Sequence, residues 1–133
     1  MVTPVEAPAL GKAIGYAHGM RAGGLVFTAG QIGATGSPEG ALSVVSPDLA
    51  EQFEKALENV VEVVRAAGGE PGSIAEMTVY VTDMEAYRAK RKEIGAAWRR
   101  HLGRHFPAMT LVAVTALVEP EAKVEIRAVA KVE

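Results

Sequence analysis

Apolar residues along this chain recur with two different periods, and the switches between them lay out the elements. Leu25-Val26-Phe27-Thr28-Ala29 is a short apolar run between Gly23-Gly24 and Gly30. It predicts a buried strand with turns at both ends. From Ile32 to Ser46 the chain carries Gly33, Gly36, Pro38 and Gly40, which predicts a loop or irregular hairpin with a strand over Ala41 to Val45. Ser46-Pro47-Asp48 reads as a helix start, with Ser46 as the cap, Pro47 at the first helical position and Asp48 at the positive end of the dipole. Leu49, Phe53, Leu57, Val60, Val61 and Val64 then form one apolar stripe, and Gly68-Gly69 stops the helix.

Over Ile74 to Thr82 the period becomes two: Met77, Val79 and Val81 alternate with Thr78, Tyr80 and Thr82, which predicts a strand. Asp83 caps a predicted second helix from Met84 to Leu102, with Tyr87, Ile94, Trp98 and Leu102 as its apolar face and Gly103 as its stop. A strand is predicted over Met109 to Val118, a turn over Glu119 to Ala122, and a last strand over Lys123 to Val132. That strand sets Val124, Ile126, Ala128, Ala130 and Val132 against Glu125, Arg127, Val129 and Lys131 on its other face. The class is α+β: a six-stranded mixed sheet with two helices on one face. The other face is left bare. If Thr110, Val112 and Val114 face the helices, it shows Met109, Leu111 and Ala113, an apolar surface that suggests another subunit.

The 133 residues suit a single domain over 1–133. A net charge of −2 gives no global pull toward nucleic acid or anionic membrane. The absence of Cys excludes disulfides, thiolate metal sites and a Cys nucleophile. No apolar run reaches the ~18 residues of a membrane span, and Met1 to Glu6 lacks the start of a signal peptide. The expectation is a soluble, cytoplasmic protein.

Seven of the 14 Lys and Arg residues lie between Arg88 and Arg104. They read as a solvated helix face, against the competing reading of a nucleic-acid-binding surface. Trp98 is the only aromatic among them and fits the apolar face better than a base-stacking platform. His18, His101 and His105 form no metal motif: His101 and His105 are four apart, but Gly103 interrupts the helix between them. Gly30, Gly33 and Gly36 fit neither phosphate-binding pattern, so no metal and no nucleotide cofactor is expected.

Several segments resemble one family in order and spacing. Ala13-Ile14-Gly15-Tyr16 resembles an Ile-Gly-Pro-Tyr motif without its Pro. Phe27-Thr28-Ala29-Gly30-Gln31-Ile32 resembles Thr-Ser-Gly-Gln-Ile, and Leu57-Glu58-Asn59-Val60 resembles Leu-x-Asn-Val. Thr78 to Met84 resembles Thr-Val-Phe-Val-x-Asp-Leu, and Val124 to Ala130 resembles Val/Ile-Glu-Ile-Glu-Ala-Ile-Ala. The family is RidA/YjgF, the reactive-intermediate (enamine/imine) deaminases. The resemblance implies the chorismate-mutase-like YjgF fold and a homotrimer whose bare sheet faces form a central barrel, with three small-molecule clefts between subunits. It implies cofactor-free hydrolysis of 2-imino acids, with Glu125 as the candidate catalytic residue activating water. Tyr16, Gly30, Gln31, Met109 and Leu111 are the implied substrate-binding positions.

His105 to Thr110 departs from the family's Phe-Pro-Ala-Arg-Ser/Thr at one place: Met109 stands where the carboxylate-binding Arg is expected. A thioether has neither charge nor donor. Arg127, on the strand face of Glu125, and Arg91, where the family often has a polar cleft residue, are the candidate replacements, while the simpler reading of Arg127 is a salt bridge with Glu125 or with a neighbouring subunit. Three functions stay open: a hydrolase or deaminase of a small enamine, imine or related metabolite; a non-catalytic small-molecule-binding module; and an RNA-interacting protein or ribonuclease, which the resemblance also implies.

Overall fold

A computed structural model describes all 133 residues. The strands are β1 (Thr3–Val5), β2 (Gly19–Ala22), β3 (Leu25–Thr28), β4 (Gln31–Ile32), β5 (Ala34–Gly36) and β6 (Leu42–Val44). The helix α1 (Leu49–Ala66) follows, then β7 (Ile74–Val81), α2 (Met84–Ala89), α3 (Arg91–Leu102), β8 (Ala108–Ala113) and β9 (Val124–Lys131). The main sheet runs β1-β2-β3-β9-β7-β8, with β4 also on β9, and β5–β6 form a separate hairpin. Its pairs are antiparallel except β7–β8, which the α2–α3 crossover makes parallel. The α+β class holds, with seven strands in the main sheet rather than six. The residues of β1 and β2 are too few and too mixed in polarity to show a period.

The apolar stripe of α1 is buried against Val124, Ile126, Ala128 and Ala130 of β9 in one core of 25 residues. Gly68, at φ +93°, closes the helix: its N–H and that of Gly69 return to the carbonyls of Arg65 and Val64. The start of α1 differs from expectation. Asp48, not Ser46, is the cap and accepts the Glu51 N–H, while Ser46 Oγ accepts the Asp48 N–H. Pro47 therefore lies just outside the helix.

The predicted second helix is two helices. Asp83 caps the first, as expected, through the Ala86 N–H. The helix breaks at Lys90, whose backbone leaves the helical region while its ammonium reaches Asp48 at 3.1 Å. The strand predicted over Met109 to Val118 ends at Ala113. Val114 still bonds the Val81 carbonyl, but the Thr82 N–H has turned to Lys123, so β7 offers no further ladder.

The facing of β8 is the larger correction. In parallel register Met77, Val79 and Val81 lie beside Met109, Leu111 and Ala113, and partners share a face. Met77, Val79 and Val81 are wholly buried, and Leu111 packs on that core. Met109, Leu111 and Ala113 therefore belong to the helix side. The bare face carries Thr110 and Val112 beside Thr78, Tyr80, Glu125 and Arg127.

Candidate functional site

The site is built where the chain leaves β3 and returns to β9 as β4. β3 pairs with Val129 to Lys131 and β4 with Glu125 and Ile126, so the ladder is interrupted between them. Thr28 fills the gap: its Oγ1 accepts the Ala128 N–H at 3.0 Å. The Ala29 N–H turns away to the His18 carbonyl. Gly30 stands at the bend directly over Glu125. A β-carbon there would lie 2.1 Å from Glu125 Oε2, so only glycine lets the carboxylate occupy this space.

Helix α1 holds the following segment in place. Asn59, buried in its middle, donates to the Ile32 and Ala34 carbonyls at 3.3 and 2.9 Å. Gln52, fully buried two turns earlier on the helix, donates to the Ser46 and Glu121 carbonyls and accepts from the Lys123 N–H. Two side-chain amides on one helix thus fix both chain segments that flank the site, β4–β5 and the approach to β9.

Glu125 is half-buried, and its pKa is raised by desolvation. The expected Arg127–Glu125 salt bridge is absent: Arg127 pairs instead with Glu76 at 3.8 Å, diagonally across β7. Both side chains are on the bare face, as predicted, but the cation is drawn off the carboxylate. Arg91 is exposed at the start of α3 and does not line the cavity at Gly30. Tyr16, Gly30 and Gln31 do come together, around a cavity of about 30 Å³ that His18 and Asn59 also line. Tyr16 stands edge-on to the His18 ring, centroids 6.1 Å apart. Beyond Tyr16 and His18 an open cleft of about 460 Å³ runs against the N-terminal arm, past Pro4, Glu6 and Lys12. Sequence reasoning weighed His18 only as a metal ligand, and Glu76 not at all; strand pairing across β7 is what brings Glu76 to Arg127.

Met109 and Leu111 are not brought to Glu125 within one chain. They lie on β8, on the opposite face of the sheet, with β7 between them and β9. Met109 is 43% exposed at the sheet edge. The loop leading to it is held by α3: Trp98 Nε1 donates to the His105 carbonyl, Phe106 stacks on the indole, and His105 Nε2 donates to the Ile74 carbonyl.

The family model described as Endoribonuclease L-PSP matches residues 6–132. The chain belongs to that family. It is the RidA/YjgF group that the segment matches imply. Within it the chain is 35% identical over 115 residues to the 2-iminobutanoate/2-iminopropanoate deaminase of Salmonella typhimurium, covering 86% of this chain and 85% of that protein. The crystal structure of Escherichia coli TdcF with bound serine matches with a TM-score of 0.81 at 32% identity, over 98% of this chain and 99% of that one. The Rid-family protein YyfA from Yersinia pestis matches with a TM-score of 0.84 at 26% identity, over 99% and 100%. No helix of this RidA-like chain is long and apolar enough to cross a membrane.

Proposed function

We propose that this RidA-like protein hydrolyses a small enamine, imine or related C–N compound without a cofactor, in clefts that a second copy of the chain completes. Glu125 carries the reading. It is a half-buried carboxylate with a raised pKa, no cation upon it and a glycine above it. A general base works best when its pKa lies near the working pH, and desolvation moves a carboxylate that way. Glu125 would take a proton from the attacking water. Gly30 and Gln31 would orient the substrate through their backbone, and Tyr16 would wall the pocket.

The opposed faces support a shared cleft between copies. Met109 and Leu111 can join Glu125 in one cleft only if the β8 edge of one copy meets the bare face of another. A trimer closed around its bare faces satisfies this and covers Phe27 and Val112. Met109 then offers the ligand an apolar contact where a guanidinium would grip a carboxylate. Charge-assisted bonds to a carboxylate contribute roughly 1.5–3 kcal/mol each, so the favoured substrate is less acidic than a 2-imino acid. Neither Arg91 nor Arg127 is positioned in one chain to replace that grip.

The test is turnover of freshly generated 2-aminoacrylate and longer 2-imino acids above the uncatalysed rate, with Met109→Arg and Glu125→Ala beside the parent. The reading expects weak activity in the parent, a gain in Met109→Arg and none in Glu125→Ala. Activity that survives Glu125→Ala removes Glu125 from the mechanism. Silence in all three leaves a metabolite-binding module.

A further inference from the structure

His18 is a buried side chain whose hydrogen bonding the fold leaves incomplete. The residue is 6% exposed. Its Nδ1 accepts the backbone N–H of Ala7 at 3.1 Å, tying the N-terminal arm to the start of β2. A ring nitrogen that accepts carries no proton, so the neutral imidazole keeps its proton on Nε2. A doubly protonated ring would set Nδ1–H against the Ala7 N–H. Nε2 is thus a donor, and it is buried with no partner in the chain. Buried donors without acceptors are rare in folded proteins, and each one calls for an explanation.

His18 is also one of the residues that line a small cavity, and that cavity supplies one. It measures about 30 Å³, and a water needs roughly 10–15 Å³ by this measure. There is room for a group of one or two heavy atoms. None of its nine lining residues is charged. Asn59 has already committed its amide N–H groups to the Ile32 and Ala34 carbonyls. Gly30, the residue that makes space for Glu125, lines the same cavity. The edge-on ring of Tyr16 restricts the tilt of the imidazole.

We propose that His18 is a ligand-binding residue that donates Nε2–H to an uncharged carbonyl oxygen or imine nitrogen of the bound metabolite, and so selects a C=O or C=N group at the Gly30 end of the cleft. This rests on the reading that the cleft holds a small metabolite, but not on its being turned over. A neutral donor in an uncharged cavity suits a neutral acceptor better than a carboxylate, in keeping with Met109 on the other wall.

The experiment uses the full-length protein, ¹⁵N-labelled, with pyruvamide as a neutral probe and pyruvate as its charged counterpart. Imidazole ¹⁵N–¹H correlation spectra report the tautomer of His18 and any contact at Nε2. The proposal expects the Nε2–H tautomer, a shift of that proton with pyruvamide and a smaller one with pyruvate. It expects His18→Gln, which keeps a donor, to bind pyruvamide within about threefold of the parent, and His18→Leu to bind about tenfold more weakly. An Nδ1–H tautomer overturns it. So does an unmoved Nε2 proton at high pyruvamide, the result expected if a permanent water fills the cavity. If His18→Leu does not fold, the shift in the parent decides. A shift without turnover on any imine overturns the hydrolase reading and leaves His18 standing; turnover with no response at His18 does the reverse.

Discussion

Gly30 and Glu125 occupy one space: the carboxylate fills the volume that a side chain at position 30 would need. Gly30 is absent from the positive-φ glycines, so the position requires room rather than left-handed backbone. Gly30→Ala should leave the fold intact and push the Glu125 carboxylate aside. Displacement of a catalytic group by about 1 Å costs on the order of 100-fold in rate. Thermal unfolding and imine turnover, measured together, check this. Full turnover in Gly30→Ala would separate Glu125 from the chemistry.

The desolvation of Glu125 has a pH signature. Its pKa is raised above the ordinary carboxylate value of 4.5, so the folded state favours the protonated form. That contribution is complete below 4.5 and is lost as pH rises through the folded value. At neutral pH the charged side chain therefore weakens the fold. Glu125→Gln should unfold at a higher temperature than the parent at pH 7, with the difference shrinking in acid, while turnover disappears. Melting curves across the acid-to-neutral range give the sign directly.

Glu54 on α1 behaves oppositely. A two-pronged bond from Arg100, reinforced by His101, holds its carboxyl at about 2. A depressed pKa stabilises the fold above the unfolded value of 4.5 and ceases to do so as pH falls toward 2. The pair is partly exposed, so solvent screens much of what it contributes. Denaturant unfolding of Glu54→Gln should lack the part of the acid-induced loss that the parent shows between those two values.

Asn59→Ala would strand the Ile32 and Ala34 carbonyls in the protein interior. Unsatisfied buried groups cost about 1–3 kcal/mol. The variant should lose that much stability and also show faster amide exchange across β4 and β5, where the site begins. A stability loss without local loosening would mean that the hairpin is held from elsewhere.

The helices and long strands were legible because each buries a continuous face: the α1 stripe and the alternation in β9 leave no other arrangement. The α2–α3 break was not, since Lys90 answers to Asp48, forty-two positions away and invisible to local pattern. The facing of β8 was open because each of its faces carries apolar residues; only the register with Met77 and Val79 decides it. Of the site, Tyr16, Gly30, Gln31 and Glu125 were readable from motif position. The partner of Arg127 was not, because it depends on which residue stands diagonally across β7. His18 could have been suspected from the break it makes in an otherwise apolar approach to β2, but its incomplete bonding is a property of packing alone.

Met109 and Glu125, placed on opposite faces of one sheet, can be altered separately. A chain damaged at the β8 edge retains its carboxylate, and a chain damaged at Glu125 retains its edge. In any assembly that joins the two surfaces, mixing such chains regenerates some whole clefts from defective parents, a form of complementation between alleles. On the proposed mechanism, a change at position 109 would alter the ligand contact and leave the Glu125 carboxylate in place.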